Sequence, residues 1–123
     1  MTWLAVALGG ALGSMARHGV NHLVAGRFVS PYPIGITVVN VSGCFAIGLL
    51  AGLLATDRVG MRMEWREFVF VGVLGGYTTF STFGLDTLIL LRGGAMALAF
   101  ANIAAQVLGG LAAVWIGFTL ASR

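Results

Sequence analysis

The chain has 123 residues, of which 59% are hydrophobic and only 9% charged, and its mean hydropathy is +0.97. Soluble domains are about 45–50% apolar and about 25% charged, so an ordinary water-soluble domain and a disordered chain are both excluded. The net charge of +3 comes from seven arginines against two Asp and two Glu, with no lysine. No basic patch can follow a phosphate backbone, which excludes nucleic acid as a partner, and the single cysteine, Cys44, excludes an internal disulfide.

A crossing of the hydrocarbon core needs roughly 20 apolar residues. Four stretches meet that need, at about 2–24, 34–56, 68–91 and 95–121, with short connections between them. Residues 1–123 therefore read as one all-α integral membrane domain of four transmembrane helices. The first stretch is uncharged as far as Arg17. With no basic residue ahead of it, it lacks the pattern of a signal peptide and is expected to stay as a span. Arg17, His18 and His22 close this span. Snorkelling to the interface is the expected role, because the His18/His22 spacing has no third ligand to make a metal site.

In the second span, Asn40 is the clearest polar residue. Its amide offers two donors and an acceptor. It serves either as interhelical glue, worth about 0.6 kcal/mol, or as the lining of a polar path. Thr37 and Ser42 are weaker signals, since their hydroxyls can bond back to their own helix.

The third span is the least ordinary, and contains Gly75-Gly-Tyr-Thr-Thr-Phe-Ser-Thr-Phe83. Each of Gly75 and Gly76 costs a helix about 1 kcal/mol against alanine. Thr78, Thr79, Ser81 and Thr82 compete for backbone hydrogen bonds. The expected result is a helix broken near the bilayer midplane, its freed backbone groups lining a cavity or coordinating an ion. The other reading is a continuous helix whose small residues pack on a neighbour. Phe80 and Phe83 lie three apart and share a helical face. Their ring edges carry positive partial charge, so two edges turned into a pore would attract an anion without formal charge; core or lipid-facing filler is the plainer alternative. Ser81 and Thr82 add hydroxyl donors beside them. Asp86, near the end of the span, caps, pairs with an arginine or sits at a vestibule, while Asp57, Glu64 and Glu67 read as a solvated loop.

Asn102 and Gln106 share a face of the fourth span, and glue and path are again both open. The pairs Gly9/Gly13, Gly48/Gly52 and Gly72/Gly76 have the small-xxx-small spacing of closely packed membrane helices. With four spans, Arg58, Arg62, Arg66 and Arg123 fall on one side, and Arg17, Arg27 and Arg92 on the other. Orientation normally follows a clear excess of Lys/Arg on the cytoplasmic side. Here the excess is a single residue: either that one suffices, or the chain inserts both ways up.

Taken together these segments resemble the Fluc/CrcB fluoride channels. The run from Gly75 to Phe83 is similar to that family's GGxTTFSTF signature, supported by Gly9-Gly-Ala-Leu-Gly-Ser-Met-Ala-Arg17 and by Gly35 through Asn40. The resemblance covers essentially the whole chain. It implies a fluoride-selective channel for passive export across the bacterial inner membrane, built as an antiparallel, dual-topology homodimer with two pores and a structural sodium at its centre. It implies that backbone carbonyls of Gly75 and Thr78 hold the sodium. Asn40, Phe80, Phe83, Ser81, Thr82, Gln106 and Arg17 would belong to the fluoride pathway. Two departures stand out. Ile36 occupies the place where many members have threonine, the hydroxyl falling on Thr37; Gly110 lies near a position where members often carry serine, with Gln106 and Asn102 one and two turns away. The competing class is a small multidrug-type, proton-coupled cation exporter, which would want a membrane-embedded carboxylate that the first span lacks. An intramembrane enzyme would need a nucleophile–base pair or metal cluster, and neither Cys44 nor the two histidines supply one.

Overall fold

The computed structural model describes residues 2–123, all of whose regular structure is helical. Helix α1 (Thr2–Ala25) and helix α2 (Ile34–Ala55) are continuous. The third rod starts as α3 (Met63–Arg66), runs on through a π-helical stretch at Glu67–Leu74 and ends in α4 (Gly75–Tyr77); α5 (Phe80–Arg92) follows after a break, and α6 (Met96–Ala121) completes the chain. At 1.5 Å per residue the 22 residues of α2 reach about 33 Å, enough for a hydrocarbon core of about 30 Å.

Three elements are both long and apolar enough to cross a membrane: Ile34–Ala55, Met63–Arg92 and Met96–Ala121. The protein is thus a multi-pass membrane protein. Helix α1 has the length, at 24 residues, but carries Arg17, His18 and His22 in its second half. The third rod begins at Met63, five residues before the expected start at 68, because Glu64 and Arg66 sit on helical backbone rather than in the loop.

Glycine contacts fix how the rods pack. A Cβ on Gly72 would stand 2.8 Å from Gly9 Cα, and one on Gly76 would stand 2.7 Å from Gly10 O. Gly9 and Gly13 in turn face Phe68, Val73 and Tyr77. Residue numbers rise together on both elements, so α1 and the third rod run parallel with their backbones nearly touching. The second pair, α2 with α6, is also parallel: Cys44 meets Gly110, Gly48 meets Val114 and Gly52 meets Phe118. All three small-xxx-small pairs are therefore packing seams, as such spacing favours where lipid leaves only close contact to hold helices together. The Arg58 guanidinium donates to the Arg123 carbonyl, which puts the α2–α3 connection beside the C-terminus, on one side of the bundle. Val39 on α2 and Asn102 on α6 are the largest fully buried side chains.

Candidate functional site

The break consists of two residues. Gly75 keeps helical backbone (φ −64°, ψ −37°), whereas Thr78 (φ −83°, ψ 160°) and Thr79 (φ −153°, ψ 119°) are extended. Gly76 serves contact with α1, at Gly10; the β-branched, hydroxyl-bearing threonines leave the helix. Thr79 then caps α5: its Oγ1 accepts from Thr82 N–H at 3.3 Å and lies within 3.2 Å of Ser81 Oγ. Thr78 N–H closes the last helical bond to Leu74 O at 3.0 Å.

The freed backbone of Thr79 is taken up by Asn40 on α2. Thr79 N–H donates to Asn40 Oδ1 at 2.8 Å, and Asn40 Nδ2 donates back to Thr79 O at 3.0 Å. Asn40 thus replaces a strand of backbone across the gap, which meets the requirement that backbone polar groups at membrane depth be paired internally. Its second N–H goes to Gln106 Oε1 at 2.5 Å. Gln106 Nε2 donates to Asn102 Oδ1 at 2.8 Å, Asn102 Nδ2 to Thr87 Oγ1 at 2.9 Å, and Thr87 Oγ1 to Phe83 O at 2.8 Å. A branch leaves Asn102 Oδ1 for Thr37 Oγ1 at 3.5 Å and reaches the Tyr32 hydroxyl 3.1 Å further on.

A cleft of about 320 Å³ opens beside this chain of amides, and Asn40, Gln106, Phe80, Phe83, Thr78, Thr79 and Gly75 are among its walls. Phe80 and Phe83 do share a face, with ring centroids 5.3 Å apart and planes tilted by 57°. They differ in cover: Phe83 is 9% exposed and Phe80 81% exposed on the single chain. Ser81 and Thr82 stand at the break but not on the cleft wall. Arg17, half-buried on α1, is outside the cleft too; its Nη1 donates to Thr78 O at 3.4 Å. That contact suits the polarity of a helix C-terminus, where cations are favoured.

The structure thus brings Asn40, Phe80, Phe83 and Gln106 together, and sets Ser81, Thr82 and Arg17 around the break behind them. Thr79, Thr87 and Tyr32 were not singled out as site residues from sequence. Thr79 was read only as one of the hydroxyls that break the helix; its main-chain bonds to Asn40 are marked by no side-chain pattern. Thr87 lies four residues after Phe83 and was legible only as part of an apolar run. Asn102 and Gln106, read as one polar face of the fourth span, are joined by a hydrogen bond as that spacing allows.

The carbonyls of Gly75 and Thr78, expected to hold a cation, are both released from the helix ladder, since Thr79 N–H is committed to Asn40 and Thr82 N–H to Thr79 Oγ1. Gly75 is exposed on the chain surface, whereas Thr78 O already faces the Arg17 guanidinium. Neutral carbonyl oxygens at the negative end of a half-helix have the chemistry to hold a hard cation. Two of them make an incomplete shell. Among the described residues no group of three His, Cys, Asp or Glu is placed to bind a metal ion.

Comparison with known proteins gives a consistent result. Residues 4–118 match the family model for CrcB-like protein, Camphor Resistance (CrcB). The chain is 47% identical over 123 residues to a fluoride-specific ion channel FluC of Solibacter usitatus, covering 100% of both chains. It is 50% identical over 119 residues to the protein of that name in Paracoccus denitrificans, covering 97% of this chain and 93% of the relative. A Rhodospirillum rubrum protein of the same name is 47% identical over 118 residues, covering 95% and 92%.

Proposed function

The chain belongs to the CrcB family, and from that premise we propose that it is a fluoride-selective channel, not an enzyme, letting fluoride leave the cell passively through the bacterial membrane. The observation that carries this reading is the neutral donor wall at the break: an amide chain from Asn40 to Gln106 beside the paired rings of Phe80 and Phe83. A small, strongly hydrated anion enters such a site only if donors at close range offset its dehydration. Neutral amides and ring edges do so without trapping it, because conduction needs binding weak enough to release. Both Asn40 N–H groups are engaged, to Thr79 O and Gln106 Oε1. Fluoride passing Asn40 would take over the N–H now given to Gln106, trading one acceptor for another rather than exposing an orphan donor.

We further propose that two copies assemble antiparallel, giving two pores. The near-balance of arginines across the bundle supports either orientation. The 81% exposure of Phe80 and the exposed Gly75 backbone leave the cleft side of each chain open to a partner. In that assembly the Gly75 and Thr78 carbonyls would hold a structural sodium, which when bound supplies fixed positive potential near the anion paths. Within one chain, Arg17 holds the Thr78 carbonyl, and Asn40 pairs with the Thr79 main chain at the break. The competing reading, a proton-coupled cation exporter, needs a buried carboxylate in the span; Asp86, the only acid after Glu67, is partly exposed and outside the cleft.

The test is efflux from liposomes loaded in turn with fluoride, chloride and a lipophilic cation. Rapid fluoride loss with chloride retained supports the channel. Export of the cation driven by a proton gradient, with fluoride retained, would overturn it.

A further inference from the structure

The hydrogen bonds around the break form a ring that leaves the third rod at Thr79 and returns to it at Phe83. Its two ends are main-chain groups, and these cannot be turned round. The Thr79 N–H can only donate and its carbonyl only accept, which fixes which end of the Asn40 amide is oxygen. Asn40 Nδ2 then requires oxygen on Gln106, which leaves Gln106 Nε2 to donate to Asn102. From the other end, the Phe83 carbonyl can only accept, so Thr87 must donate to it and must accept from Asn102 Nδ2. Both ends impose the same direction, and the two arguments meet at Asn102 without conflict.

Asn102 is fully buried and Thr87 is 8% exposed, so water cannot replace either link. The span enclosed, residues 79 to 83, is the first turn of α5 and carries both Phe80 and Phe83. Neither Asn102 nor Thr87 lines the cleft. We propose that Asn102 and Thr87 are positioning residues of the permeation path: they close, from the Phe83 carbonyl, a one-directional ring of hydrogen bonds that holds the Gln106 amide against Asn40 in a single orientation. This rests on the channel reading above.

Thr87→Val keeps the shape, cuts the ring twice and leaves Asn102 Nδ2 buried without an acceptor. Orphaning a buried donor is costly, and Gln106 and Asn102 would then be held from the Asn40 end alone. Fluoride efflux per assembled protein is expected to fall about tenfold. Thr87→Ser restores the hydroxyl and is expected to stay within about twofold of the unmodified protein, since the hydrogen bond and not the methyl closes the ring. Flux at the unmodified level in Thr87→Val, or an equal loss in Thr87→Val and Thr87→Ser, would overturn the proposal, the second because bulk rather than bonding would then matter. Should Thr87→Val fail to assemble, Asn102→Leu takes its place, and unmodified flux there would overturn the proposal equally. The unmodified protein, run alongside, separates the two levels: if it passes no fluoride the channel reading fails, whereas fluoride flux indifferent to the ring removes the ring alone.

Discussion

Replacing Asn40 by aspartate changes one NH2 group into an oxygen and leaves the side chain's shape alone. In the structure that NH2 makes two bonds, to Thr79 O at 3.0 Å and to Gln106 Oε1 at 2.5 Å, while Asn40 Oδ1 accepts from Thr79 N–H. The accepting bond survives in Asn40→Asp; both donated bonds are lost, and two acceptor oxygens are left facing a third. A hydrogen bond contributes about 1 kcal/mol net, so the two together amount to about 2 kcal/mol. An anion must in addition pass a site that now offers only oxygens, and at 1.4 kcal/mol per factor of ten the combined loss is at least about thirtyfold. The assay is fluoride efflux from liposomes followed with an ion-selective electrode, normalised to assembled protein from size exclusion. Efflux within threefold of the unmodified protein would refute the reasoning, because it would mean that neither the bridge across the break nor the donor matters to permeation.

Phe80→Ile and Phe83→Ile keep bulk but remove the ring quadrupole; each is expected to cut fluoride efflux on the order of tenfold while assembly survives, and unmodified efflux in both would place the path elsewhere. Thr78→Ser keeps the backbone carbonyl and the hydroxyl that bonds Leu74 O, so efflux and any sodium dependence of stability should persist. Tag-accessibility labelling in intact cells should find the C-terminus on both faces of the membrane, and a one-sided result would remove the antiparallel dimer. Gly13→Val drives a side chain into the Val73 carbonyl and towards Tyr77 N, so assembled protein should be lost, as overpacking costs about 1–3 kcal/mol or more; Gly19→Ala, where a Cβ meets nothing within 4 Å, should be tolerated.

Four helical rods, the third of them broken, were legible in the sequence because charge-free length and clustered hydroxyls are local properties. The glycine pairs were legible as seams, but their partners were not, since a small-xxx-small spacing says that a backbone approaches without saying which. The π-helical stretch at Glu67–Leu74 left no readable mark: Phe68-Val-Phe-Val-Gly-Val-Leu74 is as compatible with an α-helix. Asn40 and Gln106 were legible as costly polar groups in hydrocarbon; that they bond each other was not, because residues 66 apart on different rods meet only through the fold.

Glycine and threonine divide the labour at residues 75–79 in a way that propensity alone does not assign. A helix-weakening sum counts Gly75 and Gly76 as strongly as the hydroxyls, yet both glycines remain on helical rods and the chain turns at Thr78 and Thr79. The reason is where compensation is available. At Gly76 the missing Cβ lets α1 come within contact, and that packing is lost if the helix opens there. At Thr79 the side chain caps the next helix and Asn40 supplies both backbone partners. In a bilayer the helix therefore opens where a neighbouring rod offers an amide. That amide is continuous with the donors lining the cleft, so the groups that stabilise the break are the same ones that would meet an anion.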